Sequence, residues 1–124
     1  MRSTTTEPIT VWDSGAVTRF AAGDDDILVL PRRPLEHLDP VILAGRIHEY
    51  WSMVSRESAA REVRAALGGL RIQSPELASD IVELVTAFLD QFGQRQAKLR
   101  VEMTRSQSCP KFHCDFVHVR LVTT

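Results

Sequence analysis

The chain has 124 residues, 44% of them hydrophobic, and a formal net charge of -1. That is one domain's worth of chain with apolar material for a single core, which excludes wholesale disorder and any broad basic field that would gather nucleic acid or an anionic membrane. Two cysteines are too few to frame a secreted mini-domain, the opening MRSTTTEPIT lacks the apolar core of a signal peptide, and the longest aliphatic run, 27–30, is far too short to cross a bilayer. The expected compartment is therefore the cytoplasm, with both thiols reduced.

Residues 1–8 are polar and Thr-rich and are expected to form a flexible arm, with residues 9–124 as one domain. Residues 9–12 read as a short strand ended by Asp13-Ser14-Gly15. The acidic run 24–26 reads as a solvated turn, and 27–30 as a strand closed by Pro31. Asp39-Pro40 then has the form of a helix start, because Asp accepts free N–H groups of the first turn and Pro suits its first position. Leu43, Ile47, Trp51 and Val54 recur every three or four residues and would line one face of that helix. His48 lies beside the stripe, and a ligand role for it would need a partner that the sequence does not identify.

A second helix is expected over 57–67, with Val63, Ala66 and Leu67 as its apolar side and Gly68-Gly69 as its stop. The third is the clearest. Ser74-Pro75 starts it, Gly93 stops it, and Leu77, Ile81, Leu84, Val85, Phe88, Leu89 and Phe92 make a continuous stripe. The period then changes: Leu99, Val101 and Met103 alternate with Arg100, Glu102 and Thr104 as in a strand. From Phe116 alternation resumes, with Val117, Val119 and Leu121 on one side and His118, Arg120 and Val122 on the other. Helices thus precede a sheet, and the terminal strand offers an edge for self-association.

The residues with the most chemistry lie between those last two strands, in Cys109-Pro110-Lys111-Phe112-His113-Cys114-Asp115-Phe116. In extended backbone His113 and Asp115 leave the same face, so an imidazole nitrogen and a carboxylate oxygen can approach one ion. This His-x-Asp spacing supplies two of the three ligands of a two-His-one-carboxylate site for Fe(II), with positions left open for oxygen and substrate. Three other readings stand beside it. Cys109, His113 and Cys114 are also zinc donors, although adjacent His113 and Cys114 point to opposite faces of a strand and could share an ion only in a loop. Cys109 and His113 could form a nucleophile–base pair, but no orienting group accompanies them. His113 and Asp115 could simply hydrogen-bond each other at a strand start.

The block CPKFHCDFVHVRLVTT resembles the most distinctive motif of a bacterial family, domain of unknown function 1826. ILVLPRRPL upstream is similar to that family's strand and Arg-Pro-Leu turn, and AKLRVEM to its strand before the motif. The resemblance implies a bacterial protein often encoded among zinc-handling genes. The His-x-Asp block is also similar to the metal motif of 2-oxoglutarate-dependent oxygenases, which implies His113 and Asp115 as iron ligands, with a third ligand and a basic residue for 2-oxoglutarate on later strands of a double-stranded β-helix.

In that family position 114 is usually apolar, which implies that Cys114 packs rather than ligates. The family's following segment, with its Tyr and Gly/Pro-rich turn, has no counterpart here, so the domain is expected to be incomplete at its C-terminus, with weak metal binding and no turnover by itself. The expected fold is α+β, an N-terminal helical half packed on the beginning of a cupin-like sheet. The expected function is metal-binding and oxygenase-like, with Arg120 available for an anionic co-substrate and a small molecule as substrate. The alternative is a non-catalytic zinc-handling accessory protein using Cys109 with His113 and Asp115.

Overall fold

The computed structural model describes residues 11–33, 49–102 and 119–123. The described residues form a mixed α+β arrangement: helix α1 (Ser14–Ala22), strand β1 (Glu49–Val54), helices α2 (Ala59–Gly69) and α3 (Pro75–Phe92), and strand β2 (Ala97–Glu102). The two strands make an antiparallel ribbon in which Glu49 pairs with Glu102, Trp51 with Arg100, Met53 with Lys98 and Val54 with Ala97. Their connection is the α2–α3 helical pair.

The helix ends follow from local chemistry. At α3 the Ser74 hydroxyl accepts from the Leu77 N–H at 3.1 Å and Pro75 sits where its missing donor costs nothing. The other end closes on Gly93 in the left-handed region, φ 60°, with the Gln94 N–H donating to the Leu89 carbonyl at 3.0 Å. Replacing Ser74 with alanine removes the cap, and urea unfolding is expected to report a loss of about 1 kcal/mol. Helix α2 continues through Gly68 and Gly69, beyond the stop that the glycine pair suggests. The left-handed residue is Arg71, φ 57°, and the Ile72 N–H closes the turn on the Leu67 carbonyl at 2.8 Å. Leu70 is thereby held fully buried at the helix end.

Val54 and Leu70, with Ala59, Val63, Ala66 and Leu67 of α2 and Leu84 and Leu89 of α3, are the buried hydrophobic residues of this part, and Val17 is that of α1. The predicted apolar side of α2 is therefore the buried one. The stripe of α3 is buried at Leu84 and Leu89 and half-buried elsewhere, with the Phe88 and Phe92 rings 5.1 Å apart and tilted. Helix α1 is tied to α3 by the Trp12 indole N–H on Gln91 Oε1 at 3.1 Å and by Gln91 Nε2 on Thr18 Oγ1 at 2.9 Å.

Several expectations are corrected. Trp51 and Val54 lie on a strand, not a helix: Trp51 is 58% exposed and Val54 1%, on opposite faces as a two-residue period requires. The sheet does not follow the helices, since β1 precedes α2. Asp13-Ser14-Gly15 opens a helix rather than ending a strand, because Asp13 Oδ1 caps the Ala16 N–H at 2.9 Å. Residues 11–12 and 27–30 lie in no strand. Val29 is 82% exposed there, and the Val11 N–H donates to the Pro31 carbonyl at 3.3 Å. Residues 119–123 also lie in no strand. The helix start at Asp39-Pro40, with Leu43, Ile47 and His48, falls outside the described residues, as does the arm 1–8.

Candidate functional site

The ribbon has two unlike faces because side chains alternate along each strand. Tyr50, Ser52 and Val54 of β1, with Ala97, Leu99 and Val101 of β2, point inward and are half-buried or buried. Glu49, Trp51 and Met53 face outward with Lys98, Arg100 and Glu102. The β2 alternation is the one its sequence predicts. The register puts the first residue of β1 opposite the last residue of β2. The chain therefore enters the ribbon at residue 49 and leaves it after residue 102 at one and the same end.

Both connections at that end lead to the chemistry-bearing residues. His48 is bonded to Glu49. Cys109, His113 and Asp115 lie on the chain leaving Glu102, with His113 eleven residues further on. All four fall outside the described residues, so the pairing of His113 with Asp115 is not described, nor is the position of Cys114. Arg120 is described and exposed. Among the described residues no group of three or more His, Cys, Asp or Glu side chains could hold a metal ion, and the acidic run 24–26 is part of no such cluster. The donor chemistry of the motif itself fits a divalent metal: imidazole nitrogen and carboxylate oxygen suit Fe(II), and thiolate suits zinc.

A buried ion pair is the feature that the sequence reading missed. Arg32 grips Asp80 of α3 with both arms of its guanidinium, at 2.7 Å and 3.2 Å, and the Asp80 side chain is 2% exposed. The next residue, Arg33, pairs with Glu76 at 3.1 Å on the first turn of α3. The signal was available: Asp80 is three residues from Leu77 and four from Leu84, an acid set into an apolar stripe. Two arginines following Pro31 are its natural partners. The pair fastens the segment ahead of residue 34 to the helix that leads into β2.

A family model described as "Protein of unknown function (DUF1826)" matches residues 32–124, which is most of the chain and includes Arg32, the ribbon and the whole motif. The chain belongs to that family. No curated protein and no solved structure matches it. Among the described residues no helix is long and apolar enough to cross a membrane.

Proposed function

We propose that this is a metal-binding, oxygenase-like domain in which His113 and Asp115 ligate Fe(II), with the ribbon as the beginning of a cupin-like sheet. The observation that carries the proposal is the two-residue spacing of an imidazole and a carboxylate, His113 and Asp115, on the chain that leaves strand β2. On an extended backbone such a pair supplies two adjacent ligands. The ribbon register supports the proposal from a second side. It brings the chain entering at residue 49 and the chain leaving after residue 102 to one end of the sheet, and the proposal takes His48, the residue before Glu49, as the third ligand.

Bound Fe(II) would supply open coordination positions for oxygen and for an anionic co-substrate such as 2-oxoglutarate. The chain's own part is to fix the metal through His113, Asp115 and His48, and to offer the Arg120 guanidinium to a carboxylate of that co-substrate or of a small-molecule substrate. A cytoplasmic location belongs to the same proposal, because it keeps Cys109 and Cys114 reduced.

The Cys109 thiol in the same block favours a second reading, zinc handling without catalysis, through Cys109 with His113 and Asp115. Metal content and affinity separate the two. Under the iron proposal, Asp115→Ala and His48→Ala each weaken Fe(II) binding beyond the roughly 10–100-fold that even outer-shell partners cost, and Cys109→Ala leaves it unchanged. Loss of zinc with Cys109→Ala, and full binding in His48→Ala, would establish the zinc reading instead. Absence of Fe(II) and zinc binding by the reduced protein would refute both.

A further inference from the structure

We infer that the outer face of the β1–β2 ribbon is a self-complementary contact for a second copy of this chain. Trp51 and Met53 are the exposed large hydrophobic residues that lie within a helix or strand among the described residues, at 58% and 50% exposure. They are neighbours on one face of β1, and this face is covered by no other described element. A tryptophan held out to water on a rigid strand is a costly surface and a strong contact.

The charges on the same face name the occupant. At one end Arg100 sits between two carboxylates, 2.9 Å from Glu49 and 2.7 Å from Glu102, so that end carries one negative charge in excess. At the other end stands Lys98, 4.8 Å above the Trp51 ring and outside any salt bridge among the described residues. The face thus carries two carboxylates in the Glu49–Glu102 row, Trp51 beside the Arg100 that those carboxylates hold in the middle row, and Met53 beside Lys98 in the last row.

A two-fold axis running across the strands through the Trp51–Arg100 row lays the Glu49–Glu102 row of each copy over the Met53–Lys98 row of the other. It sets Trp51 against Trp51, Arg100 against Arg100 with each held between Glu49 and Glu102 of its own copy, and each Lys98 opposite the other copy's Glu102. Sheets packed face to face lie about 10 Å apart, a gap that a lysine and a glutamate reaching toward each other can close. The contact is isologous, as most homodimer contacts are. Six residues per copy cover less than the roughly 800 Å² per partner of stable complexes, so the association is weak and depends on concentration.

Sedimentation velocity over about 10 μM to about 1 mM tests the inference. The native chain is expected to shift from monomer toward dimer across that range. Lys98→Glu alone and Glu102→Lys alone each place like charges opposite one another and should raise the dimer Kd by about tenfold or more. Mixed in equal amounts, the two variants should associate again, because every crossing pair is then opposite in charge. The double variant Lys98→Glu/Glu102→Lys on one chain should recover self-association in the same way. A native chain that stays monomeric throughout would overturn the inference. So would association indifferent to both substitutions, or a mixture no better than its components.

Discussion

Replacing Arg32 with alanine is expected to lower the stability of the chain by about 3 kcal/mol, read as a shift of the urea midpoint with an unchanged slope. The argument rests on what the substitution leaves behind. Asp80 is 2% exposed, and its hydrogen bonds among the described residues both come from Arg32. A carboxylate in that position has given up its water, and without the guanidinium it recovers neither solvent nor partner in full. Breaking buried pairs by removing one member costs about 3–5 kcal/mol, and the lower end applies because Arg32 is itself 19% exposed and its loss opens a path for water. Lysine at position 32 keeps the charge but not the two-pronged fork, so Arg32→Lys should fall between native and alanine. Arg33→Ala is the control: that pair is 31% and 29% exposed, where such interactions contribute at most about 1 kcal/mol. Equal losses from Arg32→Ala and Arg33→Ala would show that the depth of Asp80 has no energetic consequence.

Leu89→Ala should cost about 2–5 kcal/mol by the same measurement. Leu89 is 1% exposed on α3, and its removal leaves a void that the surrounding side chains can fill only in part. Domains of this size are stable by roughly 5–15 kcal/mol, so either substitution takes a large share of the total and the pair together removes about 5–8 kcal/mol, half of it or more over most of that range. A loss under about 1 kcal/mol at Leu89 would mean that the core is far looser than its burial implies.

What the sequence disclosed follows the range of the forces involved. Helix α3 was legible from end to end because its cap, first-turn proline, stripe and terminal glycine all lie within the helix or next to it. Helix α2 and strand β2 were legible for the same reason. Strand β1 was not: Trp51 and Val54 stand three apart, a spacing that suits a helix face, and only pairing with β2, some forty residues away in sequence, fixes them as a strand. Helix α1 was hidden by Gly15, which reads as a turn until Asp13 is seen capping Ala16. The Arg32–Asp80 pair is likewise non-local. At the candidate site, donor types and spacing could be read at His113 and Asp115. The role proposed for His48 could not, since it depends on a strand register that no local pattern encodes.

That register also orders events during folding. Residues 49 and 102 are distant along the chain, and closing such a loop by chance has a substantial entropic cost. The helical pair between the strands removes most of that separation once it has formed, because its two ends are then held close together. The ribbon is therefore expected to be the later, zippering step, and whatever assembles at its open end waits on those two helices. A lesion in the hairpin of α2 and α3 would consequently be felt at the open end of the ribbon as well as in the helices themselves.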